Sequence, residues 1–161
     1  MSNILVAYFS ATGTTKRAAK SLAEALGADT FEIVPQTPYT STDLNWNDST
    51  SRSTSEMNDE ASRPSISGTV DGMASYDAVF VGFPIWWYTE PRIIDTFLES
   101  YDFSGKTIVP FATSGGSGLG KAPERMQRIA TGSTVAAGRL LNGHQNPNDL
   151  RDWAQHLGLM R

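Results

Sequence analysis

Four hydroxyl side chains lie within six residues near the start of the chain, in the segment Ser10-Ala11-Thr12-Gly13-Thr14-Thr15. This segment follows an apolar run at residues 4–9 and opens a helical pattern at residues 14–26. A helix N-terminus carries unpaired N–H groups and a partial positive charge, and both attract an anion. The hydroxyls add hydrogen-bond donors, and Gly13 allows a close backbone approach. The pattern predicts a phosphate-binding loop formed by Ser10, Thr12, Gly13, Thr14 and Thr15.

The familiar nucleotide-binding loops do not fit this segment. A P-loop requires Gly-x-x-x-x-Gly-Lys-Ser/Thr, and a dinucleotide fingerprint requires Gly-x-Gly-x-x-Gly, whereas the turn contains Gly13 alone. A single terminal phosphate therefore suits the loop better than a triphosphate or a pyrophosphate. Taken alone, the turn is also compatible with an ordinary helix cap rich in Ser and Thr.

Three consecutive aromatic residues stand in a second loop, Pro84-Ile85-Trp86-Trp87-Tyr88, directly after the apolar run at residues 78–83. Loops normally lie on the surface, where so much aromatic area is uncommon without a purpose. A flat aromatic ligand would explain it, because aromatic rings stack favourably on one another. The alternative is that some of the rings turn into the core or form a dimer contact.

A third loop, Thr113-Ser114-Gly115-Gly116-Ser117-Gly118, follows the apolar run at residues 107–112. Its glycines would let backbone N–H and C=O groups approach the polar edge of a planar ring. A flexible Gly/Ser turn is the alternative. In a parallel α/β sheet, the loops after neighbouring strands meet at the carboxyl edge, where ligands bind.

Strand-like and helical patterns alternate along the chain, which predicts an α/β fold with a single doubly wound parallel sheet of five strands. Near-continuous apolar runs are typical of strands that are covered on both faces. The predicted strands are residues 4–9, 30–34, 78–83, 107–112 and 134–139, and the predicted helices are residues 14–26, 91–100, 122–129 and 148–157.

A polar segment, residues 35–76, interrupts this alternation between the second and third predicted strands. A structureless loop of that length is unusual in a compact domain, so we expect a polar helix around residues 48–59 within it. Trp46 and Met57 are apolar exceptions there. They either pin the insertion to the domain or border the ligand.

Together, the three loops describe a ligand with a phosphate at one end and a flat heteroaromatic ring at the other, and flavin mononucleotide (FMN) has both features. The chain resembles the flavodoxin-like FMN-binding family in the hydroxyl loop, in Gly82-Phe83-Pro84-Ile85-Trp86-Trp87 followed by Pro91, and in Thr113-Ser114-Gly115-Gly116. The resemblance covers nearly all of residues 1–161 and implies one domain with the strand order 2-1-3-4-5 and FMN at the switch point.

The resemblance also implies the role of each loop. The hydroxyl loop would hold the FMN phosphate, residues 84–88 would line the isoalloxazine with Trp86 or Trp87, and residues 113–118 would contact its pyrimidine edge. Two features depart from well-studied flavodoxins. The third loop lacks an aromatic residue after Phe111, and residues 84–88 contain no glycine. Either Trp46 or Met57 would then cover the outer flavin face, or that face would be open.

Composition limits the kinds of partner and the kinds of chemistry that we expect of this protein. The chain of 161 residues has a net charge of −4 and no cysteine, which disfavours nucleic acid and excludes thiol chemistry. His144 and His156 lie outside any metal-ligand spacing, so we expect no metal. The sequence shows neither a signal peptide nor a long apolar run, so we expect a cytoplasmic protein without a membrane span. A homodimer through the aromatic loop is left open.

Because the flavin carries the redox chemistry, we expect no catalytic side chain. The sequence favours an FMN-dependent electron carrier that serves a redox partner protein. The alternatives are a small FMN-dependent oxidoreductase acting between NAD(P)H and a quinone, and a flavin-free protein-binding module. A phosphate-responsive receiver domain is disfavoured, because Ser10 and Pro84 stand where acidic residues would be needed.

Overall fold

The computed structural model describes residues 3–114 and 118–160. Six strands form one parallel sheet: β1 (Ile4–Tyr8), β2 (Asp29–Glu32), β5 (Ala78–Pro84), β6 (Thr107–Thr113), β7 (Thr134–Val135) and β8 (Arg139–Leu140). The order is β2-β1-β5-β6, and β7 and β8 both pair with β6. Two further short strands, β3 (Val34–Pro35) and β4 (Ile66–Ser67), form a separate antiparallel pair.

Helices α1 (Thr14–Leu26) and α5 (Pro147–His156) pack on one face of this sheet, and α3 (Arg92–Glu99) and α4 (Ala122–Ile129) pack on the other. A further helix, α2 (Arg52–Asn58), lies within the polar insertion. Within the described ranges, no helix has both the length and the apolar character needed to cross a membrane.

Alternate residues of β1 enter two different cores. Ile4, Val6 and Tyr8 pack with residues of α1 and α5, whereas Leu5 and Ala7 pack with residues of α3 and α4. Because both faces are buried, β1 reads in sequence as a continuous apolar run rather than an alternating one. The predicted α/β class with a mainly parallel sheet is confirmed.

The fifth predicted strand, residues 134–139, differs from the structure. It is divided into β7 and β8, which pair in register with Ile108↔Val135 and Phe111↔Arg139. Between these two pairs, β6 advances by three residues, whereas the segment from β7 to β8 advances by four. The extra residue forms a bulge, which interrupts the ladder as β-bulges do.

The polar segment after β2 is more structured than a loop. The predicted second strand, residues 30–34, ends at Glu32 as β2, and Val34 begins β3 instead. The predicted polar helix at 48–59 is present as the shorter α2. Its start is fixed by Ser51, whose Oγ accepts a hydrogen bond from the Thr54 N–H at 3.3 Å.

Candidate functional site

The loops after β1, β5 and β6 meet at one edge of the sheet. Thr15 at the start of α1 and Thr113 at the end of β6 share a hydrogen bond between their hydroxyl oxygens, 2.8 Å apart. The Ile85 N–H donates to the carbonyl of Thr113 at 2.9 Å. The three segments that the sequence singled out are therefore neighbours at the carboxyl ends of the strands, where open α/β sheets bind ligands.

The hydroxyl loop leaves the N-terminus of α1 open. Gly13 takes a left-handed conformation with φ of 93°, and its N–H donates to Ser10 Oγ at 3.0 Å. In the described part of the chain, no side chain caps the first turn of α1. Thr12 and Thr14 are exposed beside that turn. Unpaired helix N–H groups and free hydroxyls at one point fit an anionic group such as a phosphate.

Thr15 has a different position from the other hydroxyl residues of this loop. Its side chain is buried, and its hydroxyl is engaged with Thr113. The bond joins the hydroxyl loop to the strand that precedes the third loop. The Thr15 side chain thus fixes the relative position of two loops.

A cavity of about 270 Å³ lies beside α1, lined by residues that include Thr14, Arg17, His144 and Gln145. Arg17 is on the turn of α1 that follows the open N-terminus. The sequence interpretation considered only neutral donors near the phosphate loop. The structure adds a guanidinium and an imidazole on the outer side of the helix.

The aromatic loop forms a tight turn that closes on itself. Trp86 and Thr89 exchange two backbone hydrogen bonds of 3.0 and 3.1 Å. The two residues between them, Trp87 and Tyr88, have positive φ values of 49° and 65°. Two central residues with positive φ define a type I′ turn, which glycine and asparagine usually occupy. Contacts from elsewhere in the fold must therefore hold this conformation.

One such contact comes from the segment before α4. The Lys121 N–H donates to the carbonyl of Tyr88 at 3.2 Å. The approach is close, because a Cβ at Gly120 would lie 2.0 Å from the Tyr88 carbonyl oxygen. Glycine at this position allows the chain after the third loop to support the aromatic turn.

The three aromatic rings of the loop have different surroundings. Trp86 packs inward, with its ring centre 5.7 Å from that of Phe9 and 5.4 Å from that of Tyr39, both in edge-to-face geometry. Trp87 is 39% exposed and Tyr88 is 73% exposed. Trp86 is therefore the ring that turns into the core, while the rings of Trp87 and Tyr88 face the surface.

A cavity of about 560 Å³, which we call the aromatic cavity, lies between this loop and the polar insertion. Volumes of this size accept small-molecule ligands. Trp46 of the insertion stands at its border and is 70% exposed. The lining residues are Leu44, Trp46, Ser53, Ile85, Trp86, Trp87 and Tyr88.

Tyr39 anchors the insertion to the domain through its ring, whose centre lies 5.6 Å from that of Phe9. Two other residues of the insertion hold Tyr39 in place. The Tyr39 hydroxyl donates to Glu56 Oε1, and the Arg52 guanidinium lies 3.8 Å from the centre of its ring. Burial and the bond to Glu56 raise the pKa of Tyr39, so the phenol stays protonated.

Met57 is buried, and its carbonyl ties the insertion to α3 by accepting a hydrogen bond from Arg92 Nη2 at 2.8 Å. Trp46 instead borders the aromatic cavity.

The third loop is only partly described. Thr113 is buried, and the Ser114 N–H donates to Asn142 Oδ1 at 2.9 Å. Gly118 is exposed. The predicted ligands Gly115 and Gly116 lie outside the described residues. Asn142, which follows β8, was not predicted, because a lone Asn in a turn gives no signal of this contact.

Beneath the aromatic loop lies a cluster of buried charged groups that the sequence did not reveal. Arg125 Nη2 is 3.1 Å from Asp95 Oδ2, and Arg125 Nε is 3.3 Å from Glu90 Oε2. Burial, followed by a hydrogen bond and the charge of the neighbouring Glu90, raises the pKa of Asp95 to about 8. The Asp95 carboxyl therefore keeps its proton at a pH where a free aspartic acid has lost it.

The match to known proteins agrees with this architecture. Residues 3–157 match the family model described as flavodoxin. A candidate flavoprotein from Bacteroides eggerthii is 47% identical, with 99% of this chain and 100% of that chain covered and a TM-score of 0.92. Another, from Bacteroides uniformis, is 49% identical over 96% of this chain and 98% of that chain, with a TM-score of 0.89.

A more distant structure shares the fold alone. It is a flavoprotein in complex with FMN from Lactobacillus acidophilus, 18% identical over 96% of this chain and 99% of that chain, with a TM-score of 0.73. None of the curated proteins gives a significant match.

The chain belongs to the flavodoxin family. Flavodoxins bind FMN at the switch point of the sheet, so FMN is the cofactor, as the sequence predicted. The residues at this edge fit the molecule, because an open helix N-terminus with hydroxyls suits its phosphate and exposed aromatic rings suit its flat end.

Proposed function

We propose that this chain is an FMN-dependent electron-transfer protein of flavodoxin type. It would be a single domain spanning residues 1–161, with the flavodoxin strand order 2-1-3-4-5 and the polar insertion at 35–76. The observation that carries the proposal is the uncapped N-terminus of α1 beside the aromatic loop at one sheet edge.

Each loop has a role in this proposal. The hydroxyl loop binds the phosphate, the aromatic loop lines the isoalloxazine, and the third loop contacts its polar edge. When bound, FMN supplies the redox chemistry, and the protein orients it and limits access of water. The proposed binding residues are Ser10, Thr12, Gly13, Thr14, Thr15, Pro84, Ile85, Trp86, Trp87, Tyr88, Thr113, Ser114, Gly115, Gly116 and Gly118.

A second candidate function is favoured by the aromatic cavity. A carrier needs only an exposed flavin edge, whereas an oxidoreductase acting between NAD(P)H and a quinone needs room for a second flat molecule. The exposed rings of Trp46 and Tyr88 at this cavity supply apolar surface for such a molecule. Protein binding without flavin is less well supported, because a protein partner would not require the hydroxyl loop.

Absorbance during stepwise anaerobic reduction of the purified protein separates these functions. A flavin spectrum with a released chromophore identified as FMN is expected. A one-electron-reduced state that accumulates during the titration supports the carrier, and direct passage to the two-electron-reduced state supports the oxidoreductase. A colourless protein that added FMN does not reconstitute would overturn both and leave the binding module.

A further inference from the structure

A third cavity, of about 260 Å³, adjoins the aromatic turn, and we call it the basic cavity. It shares Trp87 and Tyr88 with the aromatic cavity, so the two cavities adjoin at this turn. Met57 of the insertion forms part of its wall. A molecule that occupies one cavity is therefore within reach of the other.

Cations predominate in the wall of the basic cavity. Arg92, Lys121 and Arg125 line it, and Glu60 is the one carboxylate among its lining residues within the described chain. Arg125 contacts Glu60 at 3.2 Å. Lys121 is exposed and has no carboxylate partner among residues 3–114 and 118–160.

The carboxyl groups behind the wall are engaged by arginines and not by Lys121. Glu90 and Asp95 are fully buried and lie 3.3 and 3.1 Å from Arg125. Asp95 is also 3.8 Å from Arg63. Within the described residues, the charge of Lys121 is therefore left for an anion that enters the cavity.

Arg92 also has an unused hydrogen-bond donor. Its side chain is 4% exposed; Nη2 donates to the Met57 carbonyl at 2.8 Å and Nε to the Glu56 carbonyl at 3.3 Å. Nη1 is buried and has no hydrogen-bond acceptor among the residues that the structure describes. Asp95 Oδ2 lies 3.8 Å away, beyond hydrogen-bonding distance. A buried guanidinium N–H without a partner is costly, and an anionic oxygen would satisfy it.

We propose that the basic cavity binds the anionic group of a flat organic substrate that exchanges electrons at the aromatic cavity. The substrate class is a ring that carries a carboxylate, sulfonate or phosphate. Arg92 and Arg125 hold the anion through their N–H groups, and Lys121 contributes its charge at the opening. The inference rests on the proposed FMN site, because it names the substrate of the oxidoreductase alternative.

Reoxidation of the reduced protein by two quinones tests this proposal. The quinones are 1,4-naphthoquinone and 1,4-naphthoquinone-2-sulfonate, which each take up two electrons and two protons and become the hydroquinone. The measured quantity is the ratio of second-order rate constants, sulfonated over neutral. We expect this ratio to fall about tenfold in Lys121→Gln and in Arg92→Lys, as for loss of one charge-assisted bond.

Arg128→Gln is the matched control. Arg128 is also on α4, is exposed and pairs only loosely with Glu124, so its loss removes one charge outside the cavity. The ratio is expected to stay at the wild-type value in this variant. An equal fall in Arg128→Gln, or an unchanged ratio in both cavity variants, would overturn the proposal.

A titration of the protein without FMN keeps this test separate from the proposed function. Naphthalene-2-sulfonate is added while the Nε–H signals of Arg92 and Arg125 are followed by NMR. Saturable shifts of these two signals, absent from the Arg128 signal, support the anion site even if FMN does not bind. Unshifted Arg92 and Arg125 signals would contradict the anion site even in a protein that binds FMN normally.

Discussion

The hydroxyl loop and the aromatic loop lie at the same sheet edge but obtain their shape in different ways. In the hydroxyl loop, the left-handed residue is Gly13, which adopts φ of 93° at little cost. In the aromatic loop, the left-handed residues are Trp87 and Tyr88, for which this conformation costs about 1–2 kcal/mol each. The first loop is therefore shaped by its own sequence, and the second is held by its neighbours.

The neighbours of the aromatic loop are identifiable. The Tyr88 carbonyl is bonded to the Lys121 N–H, and Glu90 anchors the end of the turn in the buried cluster with Arg125. Strain held by surrounding structure is common at functional sites. The phosphate end of the site is therefore shaped by local sequence, whereas the ring end depends on the tertiary fold.

The largest effect is expected from breaking the support of the aromatic loop. Arg125→Met leaves Glu90 and Asp95 without their nearest cation, and loss of one partner in a buried ion pair costs about 3–5 kcal/mol. The free energy of unfolding, measured in urea on the protein without FMN, should decrease by about 3 kcal/mol. Arg128→Met, an exposed control on the same helix, should change stability by less than about 0.5 kcal/mol. Similar decreases in the free energy of unfolding of the two variants would mean that the buried cluster does not support the aromatic loop.

The same cluster predicts how stability depends on pH. The pKa of Asp95 is raised by burial from 3.8 to about 8, so the folded protein keeps a proton that the unfolded chain releases. The free energy of unfolding should therefore fall as pH rises from about 4 to about 8, by at most about 1.4 kcal/mol per pH unit. In Asp95→Asn, the free energy of unfolding measured in urea should depend less on pH between about pH 4 and about pH 8. A pH dependence that Asp95→Asn leaves unchanged would contradict a raised pKa of the Asp95 carboxyl.

A smaller effect is expected at the hydroxyl loop, and it should appear in binding. Gly13→Ala introduces no clash, since nothing lies within 4 Å of the new Cβ, but the left-handed conformation costs an alanine about 1–2 kcal/mol. The loop of the free protein should therefore relax out of the phosphate-binding shape, which binding must then restore. The dissociation constant for FMN should rise about tenfold, as measured by quenching of flavin fluorescence.

Gly27→Ala is the control for that measurement. Gly27 is also left-handed, with open space around its Cβ, but it ends α1 at the opposite end of the helix from Gly13. It should lower stability without changing FMN affinity. Equal losses of affinity in both variants would mean that Gly13 acts through stability alone.

The smallest effect is expected from relieving the strain in the aromatic loop. Tyr88→Gly should be more stable than Tyr88→Ala by about 1 kcal/mol, because glycine adopts φ of 65° freely and both variants remove the same exposed ring. Thermal unfolding of the two variants without FMN gives the difference. A more stable alanine variant would show that the turn is not strained.

Local patterns predicted the helices and the main strands well. The helices at 14–26 and 122–129 have the predicted bounds, since apolar spacing and flanking glycine or polar residues define them within the sequence itself. The adjacency of the three loops also followed from sequence, because parallel strands place their carboxyl ends at one edge.

Features that depend on distant contacts were not predictable. The bulge that divides the fifth strand arises from pairing with β6. Gly138, which lies in the break with φ of 81°, is a local signal of it, but an isolated glycine does not fix where the pairing is interrupted. The positive φ values of Trp87 and Tyr88 contradict their residue types. Glu90 and Arg125 are 35 positions apart in the sequence. Because charged residues are mostly exposed, their burial together could not be predicted.

The binding of FMN and of riboflavin by the protein without its cofactor shows whether the hydroxyl loop holds the phosphate. The two ligands have the same ring system, and riboflavin lacks the phosphate that the hydroxyl loop and the open end of α1 would hold. FMN should bind at least about a hundredfold more tightly, as for several charge-assisted bonds. Equal dissociation constants for the two ligands would rule out a phosphate site at this loop.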